Sequence, residues 1–447
     1  MFENGVMQNK LMTLLALVGA AACGDDDDKP LTPDASVMVD AAVDAPPQVA
    51  CTPQALRTDL TWYGNNRADL GTWLASKGCT SAGYNPAKKP VALFDWDNTV
   101  SKNDFGDAFT FYLVSHDKIR QPPNQDWKQT SAYLTDAAAT ALSTACGTTV
   151  AAGDPLPTTT NTACADQILN IYIASTVEGT TTGTAAFAGH NPRQIEPSYA
   201  WTAQLAAGYT HAEIKQFATD AITPQLAAAE GTTQSIASRT GSTALNGWLR
   251  IYDQSKDLIA VAKSQGYDVW VITASPQDVI EAFAPMAGVP VDHVIGIHSK
   301  TDSAGKLTYK FEGCGTVPDD NQSLISYIQG KRCWVNKIVY GDTTATAMQR
   351  RPDGQRQVFA AGDSDTDIEF LRDATYRLVI NRAKTELMCH AYNNANDGWR
   401  INPMFILPRS MKTSAFTCST TCMNGLGVPC LDDANGVIAN QVDAVHP

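Results

Sequence analysis

Positive charge is scarce in this chain: 33 Lys and Arg stand against 46 Asp and Glu, for a net charge of −13. With neither a basic patch nor an aromatic-basic repeat, the sequence argues against nucleic-acid binding as its main role. Long apolar runs are also missing. The run LMTLLALVGAAA at residues 11–22 is too short to span a bilayer. No internal repeat is present, and the composition is globular rather than fibrous. Histidines are few, and His116, His190, His211, His293, His298 and His390 show no ligand spacing, so they read as structural or exposed.

What is there suffices for a full core: 447 residues, 44% hydrophobic, in one large or two joined domains. Lys10 followed by the short apolar run reads as a signal peptide over residues 1–22. Ala20-Ala21-Ala22-Cys23 is similar to a bacterial lipobox, with Ala in place of the usual Leu and with Glu3 weakening the basic start. Lipidation of Cys23 is the expectation, which makes the protein an exported lipoprotein touching membrane only through that anchor. Simple secretion and an uncleaved anchor are the alternatives. Residues 24–50 hold seven Asp and one Lys with no helical or strand period, as a disordered acidic tether does.

Eleven cysteines less Cys23 leave an even ten, which in an exported chain favours disulfides. Proximity suggests Cys51 with Cys79, Cys146 with Cys164 and Cys314 with Cys333. Cys389, Cys418, Cys422 and Cys430 are left to pair among themselves. A zinc site at Cys418, Cys422 and Cys430 is disfavoured, because the paired-knuckle spacing is missing.

The most informative stretch is VALFDWDNT, residues 91–99. Val91 to Phe94 read as a parallel strand buried on both faces, since an alternating strand would show polar residues between them. Its end delivers Asp95 and Asp97 to the place where open α/β sheets bind ligands. Two carboxylates there repel each other, and a bound divalent cation removes the conflict.

This pattern resembles the first motif of the haloacid dehalogenase superfamily, a hydrophobic strand followed by Asp-x-Asp-x-Thr. DVWVITAS at 268–275 matches the second motif at Thr273, and QVFAAGDSDTD at 357–367 matches the fourth at Asp363 and Asp367. For the third, a lysine, Lys331 in QGKRCWVNKIV is preferred to Lys337, because its Gly-Lys step opens an amphipathic helix. The resemblance lies closest to the phosphoserine and phosphorylcholine phosphatase branch. It implies an α/β fold with a three-layer, Rossmann-like parallel sheet core over 51–104 and 241–447. A large, mainly α-helical cap over 105–240 is inserted between the first two motifs.

The resemblance further implies a phosphomonoester hydrolase whose partner is a small phosphorylated substrate. Asp95 is the expected nucleophile and Asp97 the general acid and base. Mg2+ is the expected cofactor, or Mn2+, which sequence does not distinguish. Asp95, the Asp97 backbone carbonyl and Asp363 would hold it, and Asp367 a metal-bound water. Thr273 and Lys331 would bind phosphoryl oxygens. Asp104 falls where phosphoserine phosphatases place an acidic residue toward the substrate ammonium, which suggests phosphocholine, phosphoethanolamine or phosphoserine. Trp127, Tyr199 and Trp201 are candidates for cation–π contacts.

Each residue has a plainer reading. Asp97 and Thr99 are common caps, Asp363 and Asp367 common turn residues, and Ser275 competes with Thr273. Asp104 or Asp107 would cap a helix, Asp365 would be a surface or structural residue, and the aromatics would be core. Among functions, a dehalogenase would not need Asp97, and phosphosugar isomerisation does not suit an exported chain. From another class, the remaining alternative is a surface-anchored binding lipoprotein with an inactive core. Helices are expected at 53–77, 127–142, 164–174, 211–229, 243–265 and 383–395.

Overall fold

The computed structural model describes residues 51–179, 183–239, 245–422 and 426–446. The expected signal peptide, Cys23 and the tether lie outside the described residues. Strands β1 (Val91–Phe94), β2 (Ser101–Lys102) and β3 (Arg250–Ile251) are followed by β4 (Asp268–Pro276), β5 (Val294–Ile297), β6 (Ser299–Thr301) and β7 (Leu307–Phe311). The chain then forms β8 (Phe359–Gly362), β9 (Tyr376–Asn381) and β10 (Trp399–Pro403). Six of these form one parallel sheet in the order β10-β9-β8-β1-β4-β5. The expected α/β core is therefore formed, with β1 at its centre.

The strands alternate between two apolar layers, as the twofold period of a strand requires. Ala92, Phe94, Phe359 and Ala361 face one cluster; Val91, Leu93 and Ala360 face the other. On the first side lie α1 (Asn66–Lys77), and later α7 (Asp253–Ser264) and α8 (Gln277–Glu281). On the second side lie α9 (Gln329–Ile338), α10 (Ile368–Asp373) and α11 (Thr385–Asn393). Leu93 and Phe94 are almost wholly buried, and each contributes about 1.5–3 kcal/mol by removal from water.

Between β2 and β3 run α2 (Phe105–Ser115), α3 (Asp136–Cys146), α4 (Thr162–Ala174), α5 (Pro197–Leu205) and α6 (His211–Ala227). This insertion is tied to the sheet layers at several points. β2 and β3 pair antiparallel at its root. Leu307 of β7 donates to Tyr209 O at 2.7 Å and accepts from Gly208 N at 2.8 Å. Buried Arg193 reaches Glu386 of α11 at 2.7 Å and Glu369 of α10 at 3.1 Å. Glu369 is shared with Arg332 at 2.6 Å, so two guanidinium groups face the two carboxylates, and Arg193 anchors the chain entering α5 to the helices behind the sheet.

Three expected helices start late. That at 53–77 begins at Asn66, because Gly64 turns the chain at φ +50° and the preceding segment lies along α7, where Arg57 N meets Asp257 Oδ2 at 2.8 Å. That at 127–142 begins only at Asp136, capped by Thr135; upstream, Ala132 N is drawn to Gln322 Oε1 at 2.6 Å. That at 243–265 begins at Asp253, since Arg250 and Ile251 pair with Lys102 and Ser101 instead.

Five disulfides form: Cys51–Cys79, Cys146–Cys164, Cys314–Cys333, Cys389–Cys418 and Cys422–Cys430. The proximity pairings are met, and no thiolate remains among these residues for zinc. Cys314–Cys333 fastens α9 to the chain after β7, and Cys389–Cys418 fastens the C-terminal segment to α11. So many cross-links suit an oxidising compartment. No helix among the described residues is long and apolar enough to cross a membrane.

Candidate active site

The C-terminal ends of β1, β4 and β8 converge on one cavity of about 510 Å3, lined by Asp95, Asp97, Thr273 and Asp363. After β1 the chain turns sharply. Trp96 O accepts from both Val100 N and Ser101 N at 2.8 and 2.9 Å, with Asn98 at φ +64°. This turn sends Asp95 and Asp97 to different partners. Asp95 Oδ1 receives Lys331 Nζ at 2.6 Å. Asp97 Oδ1 accepts from Phe105 N at 2.8 Å, and its Oδ2 accepts from Ser275 Oγ at 2.7 Å and Thr273 Oγ1 at 3.4 Å. Both hydroxyls therefore reach the same carboxylate.

Lys331 is fully buried and bridges Asp95 and Asp367, with 2.6 Å to each. Lys337 instead donates to Gly313 O at 2.7 Å and lies over the Trp334 ring, away from the cavity. Two glycines permit the close packing here. A Cβ on Gly330 would stand 1.7 Å from Ile325 O, so only glycine lets α9 begin beside Lys331. A Cβ on Gly362 would stand 2.8 Å from the Asp367 side chain.

Asp367 Oδ2 accepts from the backbone N–H of Asp363 and Ser364, at 2.9 and 3.0 Å. Asp363 receives Thr99 Oγ1 at 2.8 Å and Arg382 Nη1 at 2.6 Å. Carboxylate oxygens of Asp95, Asp363 and Asp367 all lie within 4.8 Å of one another. Together with Asp97 they bring four carboxylates against the cations Lys331 and Arg382. The net negative charge and the hard oxygen donors of Asp95, Asp363 and Asp367 fit a divalent cation such as Mg2+. The Asp97 carboxylate stands outside that cluster, so only its backbone carbonyl is left for the ligand role expected of it.

Burial pushes the Asp95 carboxyl well above the usual carboxylate range, Asp367 adds to this, and Lys331 opposes it. Asp97 is likewise pushed well up, by burial and then by the charge of Asp104. A carboxyl whose pKa is raised in this way is suited to protonating a leaving group. Burial works against the Lys331 charge, but Asp367 and Asp95 outweigh it and hold the ammonium charged.

Asp104 caps α2 by accepting from Asp107 N at 3.0 Å, which is its plainer reading, and it also lines the cavity. Asp107, beside it, receives Tyr172 Oη from α4 at 2.6 Å. Burial and the Asp104 charge raise the Asp107 carboxyl to about 7. A carboxyl raised in the fold adds stability below its unfolded pKa, near 4, and loses it as pH rises through about 7. Metal-free protein is therefore expected to melt several degrees higher at pH 5 than at pH 8. Asp107→Asn should narrow that gap in thermal unfolding; an unchanged gap would remove Asp107 from the account.

Of the aromatic candidates, Tyr199 lines the cavity, joined by Tyr172 and Tyr327. Trp127 and Trp201 do not: both are buried within the inserted helices, where Trp201 Nε1 donates to Thr130 Oγ1 at 3.0 Å. Of the two readings of Asp365, the structural one holds. Asp365 lines the cavity and accepts from Leu387 N at 2.8 Å at the start of α11. Histidines are not among the lining residues. Arg382, Lys384 and the Asp107–Tyr172 pair escaped the sequence reading; the only signal was two cations directly after an apolar strand.

Residues 193–372 match the model of the haloacid dehalogenase-like hydrolases. Over that stretch, about two fifths of its length, the chain is similar to that family. The match spans β4, α9 and β8, and the Asp95–Asp97 stretch on β1 precedes it. A protein of unknown function from Anaerococcus prevotii DSM 20548 is 19% identical over 77% of this chain and 92% of its own, with TM-score 0.54, and so shares the fold. A substrate-bound phosphoserine phosphatase is 13% identical over 66% of this chain and 86% of its own, with TM-score 0.31, a likeness too weak to argue from. No curated protein sequence matches the chain.

Proposed function

We propose that this chain is a haloacid dehalogenase-like hydrolase, an exported, Mg2+-dependent phosphomonoesterase working through an aspartyl-phosphate on Asp95. The observation that carries the reading is the division of labour between two adjacent carboxylates: Asp95 lies against Lys331, and Asp97 faces the same cavity with a raised pKa. An Asp95 oxygen attacks phosphorus in line while the ester P–O bond breaks, and Asp97 gives its proton to the departing oxygen. Water then attacks the same phosphorus, Asp97 takes the proton back, and the Asp95–phosphorus bond breaks to release phosphate. Thr273, Ser275 and Lys331 hold phosphoryl oxygens and offset their charge. Asp95, Asp363 and the Asp97 backbone carbonyl would hold the cation, with Asp367 holding a metal-bound water, and the cation would supply charge neutralisation.

The helices over 105–240 act as a cap on the core of 51–104 and 241–447. They bring Asp107, Tyr172 and Tyr199 to the cavity wall, where they exclude water and select the leaving group. Asp104 and Asp107 favour a leaving group with a cationic head. Five disulfides support export, and Cys23 supplies the lipid anchor.

The test is phosphate release from p-nitrophenyl phosphate and phosphocholine with Mg2+, with EDTA, and after Mg2+ is restored. Release that EDTA abolishes and Mg2+ restores is the expected result, with phosphocholine the better substrate and Asp104→Ala removing that advantage. No release from either substrate would favour a binding lipoprotein with an inert core.

A further inference from the structure

Four cations gather where β9 leaves the sheet, and the chemistry above accounts for one contact among them. Arg382 and Lys384 follow β9 directly, beside the end of β8 that carries Asp363, and both line the cavity of Asp95 and Asp97. Arg382 donates to Asp363 through Nη1, while its Nε and Nη2 make no hydrogen bond to a described residue. The half-buried Lys384 ammonium has no hydrogen bond or ion pair among the described residues. Behind them stand Lys102 and Arg409. Burial, Arg382 and Arg409 together lower the Lys102 ammonium to about 8, as a crowd of like charges does.

The backbone is bent to present this pair. Ala383, between them, sits at φ +56°, a left-handed conformation unfavourable for a residue with a Cβ. Strain of this kind persists only where the surroundings impose it, and it concentrates at binding sites. Asn381 imposes it here. Its Oδ1 accepts from Ala383 N at 2.9 Å, while its Nδ2 donates to Asp443 Oδ1 at 3.1 Å and Val445 O at 2.7 Å. The C-terminal segment thus holds the turn in place.

We propose that Arg382 and Lys384 form a subsite for a second anionic group, a carboxylate, on the leaving portion of the phosphomonoester. This rests on the phosphatase reading above. A guanidinium edge with free N–H donors matches a carboxylate in shape and charge, and an adjacent ammonium completes the site. Asp104 and Asp107 line the same cavity, so a zwitterionic leaving group finds a partner for each charge.

The test compares 3-phosphoglycerate with glycerol 3-phosphate, which differ by a carboxylate in place of a hydroxymethyl, on the full chain. Wild type is expected to favour the carboxylate about tenfold or more in kcat/KM, the range of a charge-assisted hydrogen bond. Lys384→Gln should remove most of that ratio through KM, and Lys384→Arg should restore it. Equal kcat/KM in wild type, or a ratio unchanged in Lys384→Gln, would overturn the subsite and leave these cations as counter-charges to Asp363 and Asp365. Calorimetric binding of both compounds to Asp95→Asn separates the two readings. Carboxylate-dependent binding without turnover of p-nitrophenyl phosphate by wild type would sink the phosphatase and keep the subsite. Turnover with equal Kd values would do the reverse.

Discussion

Asp95→Asn is expected to lower phosphate release by at least about 10³-fold, the scale on which removing a covalent nucleophile acts, while the protein stays folded. The amide is isosteric and keeps an oxygen to accept from Lys331 Nζ. It also removes one buried carboxylate from a cluster in which Asp95 and Asp367 repel each other. Thermal stability without metal should therefore hold or rise, and Mg2+ affinity should fall with the loss of a charged ligand. Rates, melting curves and Mg2+ titrations of the variant check the three parts separately. Full activity in Asp95→Asn would end the aspartyl-phosphate mechanism. A lost rate with a collapsed melting curve would say only that Asp95 is structural.

Lys331→Met should act in the opposite sense on stability. Lys331 is wholly buried, and its ammonium is the partner shared by Asp95 and Asp367. Breaking a buried ion pair by removing one side leaves uncompensated charge and costs about 3–5 kcal/mol. The expected loss of unfolding free energy is of that order, read in urea with the disulfides intact. Mg2+ should recover part of it, since a dication on the same carboxylates replaces the missing charge. Lys337→Met is the internal comparison. It gives up one hydrogen bond to Gly313 O and its place over Trp334, a loss of about 1 kcal/mol. Equal effects from the two variants would contradict the assignment of Lys331 to the site.

The readable part of the site was the part written in residue types at strand ends. Apolar runs of four residues stop at Asp95, Thr273 and Asp363 because a buried parallel strand leaves only its C-terminal mouth for polar groups, and the sheet then brings those mouths together. Gly-Lys at the start of α9 was readable for a similar reason: the sequence carries both the glycine that allows close approach and the cation that uses it.

Less readable were positions where a distant segment decides the outcome. Nothing local stops the helical pattern at 127–135; Gln322 does, by drawing Ala132 N away. Trp127 and Trp201 resemble cavity aromatics in the sequence as much as Tyr199 does. Only the packing of the inserted helices sends the two tryptophans into the interior and Tyr199 to the cavity.

The sequence by itself determined the family resemblance, the α/β class, the carboxylate pair and its lysine, because each depends on a short pattern of residue types with a fixed period or order. Tertiary structure alone decided that Asp97 bonds to Ser275 and Thr273, that Asp107 meets Tyr172, and that Arg382 bonds to Asp363 with Lys384 in the same cavity. These contacts join residues far apart in the chain, or depend on a strained turn held by the C-terminal segment, and no local propensity encodes either.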